Sequence, residues 1–259
     1  MKTIILCGGK GTRLKDETEY KPKPMVYIGN KPIIWHIMKI YAAHGFNEFI
    51  LALGYKADYI KDFFLNQKAF TSDFSLDTQS HKTEFYLEKR HEVDHFRIIF
   101  VDTGLDTLPG ERILSCRDYI PNRDKYFMVT YGDGVSDINI SRLVSFHKKQ
   151  NTIGTITGIH PHFKFGVVNI NSKNLITEFK EKPLMDDWAN GGYMIFDKRY
   201  FDYQKPKELE HSALKRLTKI SQLSLYKHSG FWMAVDTNKE HDELNRIWKS
   251  GHAPWKVWK

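Results

Sequence analysis

Hydrophobic residues in the first 160 positions of the chain follow two alternating patterns. Short apolar runs typical of buried strands occur at TIILC, EFILAL, RIIFVD, YFMVTYGDG and IGTITGI. Between them lie segments such as IIWHIMKIYAAHG, in which apolar residues recur at helical spacing before a terminating glycine. Strands that alternate with helices in this way predict a parallel sheet covered by helices.

The pattern changes after residue 160. The β-rich pieces FGVVNI, LITEFKE and GGYMIFD are separated by turn residues, and helical patterns follow near 208–219 and 237–250. Segment 67–95 is polar and weakly periodic, which predicts an insertion or a mobile excursion. We therefore predict a Rossmann-like α/β fold, with a mixed, mostly parallel central sheet flanked by helices and a small β-rich lobe, in a single domain spanning 1–259.

Composition is consistent with one compact unit. The 259 residues, 41% of them hydrophobic, are enough to bury a substantial core. The sequence holds no run of 18 apolar residues and no export signal near its first residue. We therefore expect a cytoplasmic protein that does not associate with membranes.

The formal net charge of +8 fits two kinds of partner, a nucleic acid or a substrate that carries several phosphates. The 39 Lys and Arg residues are mixed with 31 Asp and Glu, without a basic run or a groove-reading motif. This distribution favours the phosphorylated substrate, and no nucleic-acid partner is predicted.

Cysteine and histidine residues give no metal pattern. Cys7 and Cys116 lie far apart and are expected to be reduced and buried. The 12 histidines show no paired spacing with a third ligand, so His36 and His44 are interpreted as core or helix-surface residues. Neither residue type is given a chemical role.

Two further features have structural interpretations. The tryptophans Trp232, Trp255 and Trp258 are expected to pack rather than to stack on a nucleotide. The carboxy-terminal APWKVWK is predicted to pack between subunits of a homo-oligomer, with a frayed tail as the alternative. Asp102 and Asp137 are interpreted as cap or turn residues.

A glycine-rich segment, LCGGKGTRLKDETEYKPKPM, follows the first predicted strand. Gly8, Gly9 and Gly11 would let backbone N–H groups approach phosphate oxygens at the carboxyl end of that strand. The segment lacks the Gly-Lys-Ser/Thr of a Walker A loop, and Leu14 stands where a dinucleotide fingerprint has its third glycine. The glycines by themselves also fit a purely structural turn.

Cations in the same segment make a polyanion site the better interpretation. Arg13 is suited to bidentate phosphate binding, and Lys21 and Lys23 lie on a segment that Pro22 and Pro24 stiffen. Three cations would thus converge on one polyanion.

The motifs GGKGTRL, KPKPM and NKPIIWH resemble the opening signature of sugar-1-phosphate nucleotidylyltransferases. The later blocks VDTG, YGDGVSDI, FKEKP, NGGYMIFD, GFWMAVDT and GHAPWKVWK are similar, in order and over almost the full length, to glucose-1-phosphate cytidylyltransferases. The resemblance implies a nucleotidyltransferase α/β fold, CTP as the nucleotide donor, Mg²⁺ as the cofactor and release of pyrophosphate. It also implies α-D-glucose 1-phosphate as the small phosphorylated acceptor and CDP-glucose as the product, in nucleotide-sugar biosynthesis for capsule or lipopolysaccharide.

The resemblance also implies roles for individual residues. Catalysis would depend on Arg13, Lys23, Asp133 and Asp236. The nucleotide would contact Leu6, Gly8, Gly9, Gly11, Thr12, Arg13, Lys23, Thr103, Gly110, Arg112 and Asp133. The acceptor would contact Glu181, Lys182, Asn190 and Gly191, within the part of the chain from 160 to 230. Asp133 and Asp236, each at the end of a predicted strand, would hold Mg²⁺, although each aspartate alone also fits a turn beside glycine.

Three local departures from the family pattern leave the acceptor open. The base-side loop reads LPGER instead of a threonine with two glycines, Lys164 replaces an arginine, and Ser212-Ala213 replaces a Glu-Pro pair. A changed pocket would suit another phosphate ester, including a non-sugar such as phosphoglutamine used in surface polysaccharide modification. A non-catalytic nucleotide-sugar sensor and a basic nucleic-acid-binding module are the remaining alternatives.

Overall fold

The computed structural model describes residues 1–11, 18–86 and 94–258. Its strands are β1 (Thr3–Leu6), β2 (Tyr27–Ile28), β3 (Lys31–Pro32), β4 (Glu48–Leu53), β5 (Asp73–Asp77), β6 (Lys82–Tyr86), β7 (Arg97–Asp102), β8 (Tyr126–Tyr131), β9 (Gly134–Ser136), β10 (Gly154–Ile159), β11 (Val167–Ile170), β12 (Ile176–Lys180), β13 (Ala189–Asp197), β14 (Leu223–Lys227) and β15 (Trp232–Ala234).

Helices connect and cover these strands. They are α1 (Ile33–Ala42), α2 (Ala57–Leu65), α3 (Gln67–Thr71), α4 (Pro109–Ser115), α5 (Ile140–Gln150), α6 (Tyr200–Tyr203), α7 (Lys215–Lys219) and α8 (Asn238–Lys249). Short 3₁₀ turns lie at Lys23–Met25 and Arg117–Tyr119, and a π-helical turn lies at Glu210–Leu214. None of the described helices is both long and apolar enough to cross a membrane.

Seven strands form the central sheet, in the order β14-β10-β13-β8-β1-β4-β7. Only β13 runs antiparallel to its neighbours, β8 and β10. The other neighbouring pairs are parallel. The predicted mixed, mostly parallel sheet is therefore confirmed.

Both faces of this sheet are buried, which explains the continuous apolar runs in its strands. Ile5 and Leu51 face the core layer that contains α1, whereas Ile4 and Ile50 face the opposite layer. The helical pattern predicted from residue 33 is confirmed as α1, whose ten residues include eight buried ones. The carboxyl ends of β1, β8 and β10 consequently meet at one edge of the sheet.

Three hairpins in the described part of the chain lie outside the central sheet, and the shortest is the β2–β3 pair. β5 pairs with β6 within the predicted insertion, so the described part of that segment forms regular structure. Its remaining residues, 87–93, lie outside the described part of the chain. β11 pairs with β12, and all nine strand residues of this hairpin are exposed. It corresponds to the predicted β-rich lobe.

The carboxy-terminal segment packs on its own chain. Trp255 is fully buried, and its ring stacks on Phe231 at 5.3 Å and on Trp248 at 6.2 Å between centroids. Trp258 packs edge-on against Trp35 at 5.5 Å. For Trp255, the interpretation as a packing residue is thus correct, because its ring is covered within its own chain, and this contact contradicts a frayed tail. The use of the segment between subunits stays a prediction.

Two histidines are buried, and burial favours their neutral forms. His36 lies next to Trp255, whose Nε1 donates to His36 Nδ1 at 3.4 Å, while His36 Nε2 lies 3.0 Å from the carbonyl oxygen of Ile28. This arrangement matches the Nε2–H tautomer. Burial lowers the pKa of His36 to about 4, and burial also lowers the pKa of His147 to about 4.

We expect the protein to lose stability as the pH falls from about 6.5 towards 4. Over this range the unfolded chain binds protons on His36 and His147 that the folded chain excludes, so acid favours unfolding. For each histidine, acidification would lower the free energy of unfolding by up to roughly 3 kcal/mol. This loss is absent above the unfolded pKa and grows as the pH falls towards the folded pKa. Urea unfolding at successive pH values measures the loss, and ring NMR signals of His36 that titrate near pH 6.5 would contradict the assignment.

Candidate active site

The glycine-rich turn and Asp133 are neighbours because β1 and β8 are adjacent in the sheet. Leu6, the last residue of β1, pairs with Tyr131, the last residue of β8. The chain then continues into Gly8 on one side and Asp133 on the other. This is the edge at which parallel α/β sheets bind ligands.

Asp236 reaches the same edge through a second, smaller sheet. β15 pairs antiparallel with β9, with Ala234 opposite Gly134. The N–H group of Val235 donates to the carbonyl oxygen of Asp133 at 2.9 Å. The two aspartates are thereby brought side by side, although they are 103 positions apart in the sequence.

Lys23 connects the two carboxylates. Its Nζ atom lies 2.6 Å from Oδ2 of Asp133 and 2.7 Å from Oδ1 of Asp236. Pro24 and Met25 are buried after it and hold the 3₁₀ turn against the core. Desolvation by itself would lower the pKa of Lys23, but the two carboxylates outweigh it and raise the pKa above its usual value. The ammonium is therefore firmly charged.

A cavity of about 500 Å³ opens at this cluster. Its walls come from the glycine-rich turn, the Lys23 turn, the start of α4, the end of β8 and the β15 segment. The lining residues are Leu6, Cys7, Gly8, Gly9, Gly11, Lys23, Pro24, Thr107, Pro109, Arg112, Tyr131, Gly132, Asp133, Trp232, Ala234 and Asp236. Most of the residues predicted to bind the nucleotide or the metal thus line the same cavity.

Arg112 shapes the wall of the cavity by binding main-chain oxygens. Its guanidinium donates to the carbonyl oxygens of Gly8 at 3.0 Å and Gly104 at 2.7 Å, and to Oγ1 of Thr103 at 2.6 Å. A Cβ atom on Gly8 would lie 2.1 Å from Arg112 Nη1, so any other residue at this position would displace the guanidinium. Arg112 therefore fixes the turn after β1 against the loop after β7.

Two other residues predicted to bind the nucleotide, Thr103 and Gly110, lie outside the cavity lining. Thr103 is buried behind the wall, where Oγ1 also donates to the carbonyl oxygen of Leu53 at 2.6 Å. Gly110 faces Gln204, not the cavity. Thr12 and Arg13 lie outside the described residues.

The residues predicted to bind the acceptor are divided between two places. Gly191 lies directly behind the cavity wall, since its carbonyl oxygen accepts a hydrogen bond from Trp232 Nε1 at 2.7 Å. Asn190 precedes it and accepts from the N–H group of Gly192 at 3.0 Å. Glu181 and Lys182 follow the β11–β12 hairpin, where both side chains are exposed and lie 3.4 Å apart.

Several cavity residues were not predicted from the sequence. Trp232 packs against the core, as expected, but it also lines the cavity. Tyr131 lies inside the YGDG motif, two residues before Asp133, and this adjacency was the available signal. Asp102 and Asp137 lie outside the cavity lining: Asp102 accepts from Gly104 N at 3.0 Å as a turn residue, and Asp137 lies 3.1 Å from His228 Nε2.

The donor set fits a hard divalent cation. Among the described residues no group of three or more His, Cys, Asp or Glu side chains is arranged to hold a metal. Two carboxylates nevertheless converge on one cation, the ammonium of Lys23. Two carboxylates, completed by water and substrate phosphates, are a ligand set that Mg²⁺ accepts.

Comparison with known proteins agrees with this geometry. The nucleotidyl transferase family model matches residues 2–238. The probable glucose-1-phosphate cytidylyltransferase of Bacillus subtilis is 42% identical over 100% of both chains, and the glucose-1-phosphate cytidylyltransferase of Salmonella typhimurium is 38% identical over 100% of both.

The fold is also found in solved structures. A putative glucose-1-phosphate thymidylyltransferase from Bacillus anthracis matches with a TM-score of 0.69 and 21% identity, covering 95% of this chain and 94% of that one. HddC from Yersinia pseudotuberculosis matches with a TM-score of 0.68 and 22% identity, covering 95% and 99%. With its sheet, its cavity and its full-length relatives, the chain belongs to the nucleotidyl transferase family.

Proposed function

We propose that this chain is a cytidylyltransferase that transfers CMP from CTP to α-D-glucose 1-phosphate and forms CDP-glucose and pyrophosphate. The observation that carries the proposal is the convergence of Lys23, Asp133 and Asp236 at the mouth of the glycine-rich turn. The choice of CTP and glucose 1-phosphate is supported by the names of the full-length relatives.

The reaction needs positioning and charge neutralisation, not a nucleophilic side chain. A phosphate oxygen of the acceptor attacks the α-phosphorus of CTP, the new O–P bond forms, and the bond to the β-phosphate oxygen breaks in line. Lys23 would bind the α-phosphate, where negative charge grows in the transition state. Arg13 would bind the departing β- and γ-phosphates, in accordance with its place in the resemblance.

Asp133 and Asp236 would hold Mg²⁺. When bound, the ion would neutralise phosphate charge and polarise the α-phosphate. The two carboxylates would then exchange the ammonium of Lys23 for the metal, and Lys23 would turn towards the nucleotide. The backbone N–H groups of Gly8, Gly9 and Gly11 would cradle the phosphates.

The acceptor would bind between the cavity and the β11–β12 hairpin. Lys182 would take the acceptor phosphate and Glu181 would accept hydrogen bonds from its hydroxyls. Asn190 and Gly191 would form the floor of this part of the site, next to Trp232. A cytoplasmic location, a homo-oligomeric state and a place in capsule or lipopolysaccharide biosynthesis remain predictions.

We expect pyrophosphate release only with CTP and only with glucose 1-phosphate among common phosphate monoesters. The decisive measurement is a screen of CTP, UTP, GTP and dTTP against sugar 1-phosphates and phosphoglutamine at fixed Mg²⁺. Rapid turnover of phosphoglutamine, with no turnover of any sugar phosphate, would support cytidylyl transfer but contradict glucose 1-phosphate as the acceptor.

Pyrophosphate release, measured together with ligand binding, separates the other two classes of protein. A nucleotide-sugar sensor would bind CDP-glucose without releasing pyrophosphate. A nucleic-acid-binding module would retain its binding without Mg²⁺ and lose it steeply as salt increases.

A further inference from the structure

A polar pair lies on the cavity wall, apart from the Lys23 cluster. Tyr131 lines the cavity, and its hydroxyl donates a hydrogen bond to Oε1 of Glu210 at 2.5 Å. The side chain of Glu210 is exposed. Within the described part of the chain, this carboxylate has no ion pair and no other hydrogen bond. Its second oxygen is therefore available to a ligand.

The ring of Tyr131 is held by the segment predicted to bind the acceptor. Gly192 has a φ of +83°, and a Cβ atom there would lie 2.6 Å from Tyr131 Cδ2. Glycine is thus needed both for the backbone conformation and for the close approach of the ring. Since Gly192 directly follows Asn190 and Gly191, Tyr131 connects that segment with Glu210.

The backbone of Glu210 is anchored although its side chain is exposed. Glu210 begins the π-helical turn Glu210–Leu214, and such turns are frequent at functional sites. Ser212 in this turn is 2% exposed, and its Oγ accepts a hydrogen bond from Lys205 N at 2.7 Å. Ser212-Ala213, which departs from the family pattern, thus lies in the same turn as Glu210 and outside the cavity lining.

We propose that Glu210 binds a ring hydroxyl of the acceptor and that Tyr131 is the residue that positions its carboxylate. The inference rests on the proposed function, because it needs an acceptor with hydroxyl groups. An ionised carboxylate accepts hydrogen bonds from hydroxyls and repels phosphates. Glu210 would consequently fix the orientation of the acceptor, with its phosphate towards Lys182 and the α-phosphate of CTP, and its polyol end towards the π-helical turn.

Steady-state kinetics with glucose 1-phosphate and its monodeoxy analogues test this role. We expect Glu210→Gln to lower kcat/KM for glucose 1-phosphate about 10- to 100-fold, as for a lost hydrogen bond to a charged group, with KM for CTP unchanged. In the wild type, one monodeoxy analogue should have a kcat/KM that is lower than that of glucose 1-phosphate by a similar factor. In Glu210→Gln, the two substrates should have the same kcat/KM. Tyr131→Phe should change the same parameter in the same direction, roughly tenfold.

Glu208→Gln is the matched control, since it removes a nearby negative charge without removing the hydrogen bond to Tyr131. It should stay within about twofold of the wild type. Equal kinetics for Glu210→Gln and the wild type with all analogues would overturn the proposal. A change in KM for CTP as large as the change in kcat/KM for glucose 1-phosphate would overturn it as well. So would a preferred acceptor that lacks ring hydroxyls.

Calorimetry of product binding tests the inference without turnover. Glu210→Gln should bind CDP as the wild type does and bind CDP-glucose about tenfold more weakly. Unchanged CDP-glucose affinity would contradict the role of Glu210 even if the enzyme proves to be a cytidylyltransferase. Failure of the wild type to release pyrophosphate from CTP would instead refute the proposed function.

Discussion

Asp133→Asn and Asp236→Asn should each lower the rate of pyrophosphate release about a hundredfold while leaving the fold intact. Either change removes one of the two negative charges that face Lys23 and, in the proposed reaction, one metal ligand. The loss of transition-state stabilisation would be on the order of 3 kcal/mol. The measurement is kcat/KM for CTP at limiting Mg²⁺, with thermal unfolding to check the fold.

Asp118→Asn serves as the control for this prediction, because Asp118 is exposed and lies outside the cavity lining. It should behave as the wild type does. Binding of Mn²⁺, followed by electron paramagnetic resonance, gives a second readout and should weaken in both active-site variants. Near-normal turnover of Asp133→Asn and Asp236→Asn would refute the metal assignment.

Lys23→Met should have the other large effect, a fall in kcat/KM of roughly a hundred- to a thousandfold. The side chain of Lys23 is 13% exposed and lies between both carboxylates, so methionine would leave these two facing carboxylates without their ammonium. In the proposed reaction the same ammonium binds phosphate charge that grows during transfer.

The same variant should bind Mn²⁺ more tightly than the wild type when no nucleotide is present. The reason is that the ammonium and the metal compete for Asp133 and Asp236. Lys21→Met is the matched control, since Nζ of Lys21 lies over the ring of Tyr27 at 5.9 Å. A large loss of activity in Lys21→Met, with a mild one in Lys23→Met, would show that the wrong lysine was chosen.

Hydrophobic patterning predicted the central elements because strands buried on both faces read as continuous apolar runs. The segments EFILAL and RIIFVD became β4 and β7 with the predicted bounds. The antiparallel direction of β13 was not predictable in this way, because an apolar run has the same composition in either direction. The pairing partners decide the direction, and they lie far along the chain.

The sequence by itself determined the α/β class, the glycine-rich turn and the identity of the charged residues, because periodicity and motif spacing are local properties. Only the tertiary structure decided which of these residues meet: Lys23 is 110 positions from Asp133 and 213 from Asp236, yet contacts both. It likewise placed Trp232 on the cavity wall, Arg112 on main-chain oxygens and Glu210 beside Tyr131. Such contacts depend on the order of strands in the sheet and on the register of β9 against β15, which side-chain patterns along a single segment do not specify.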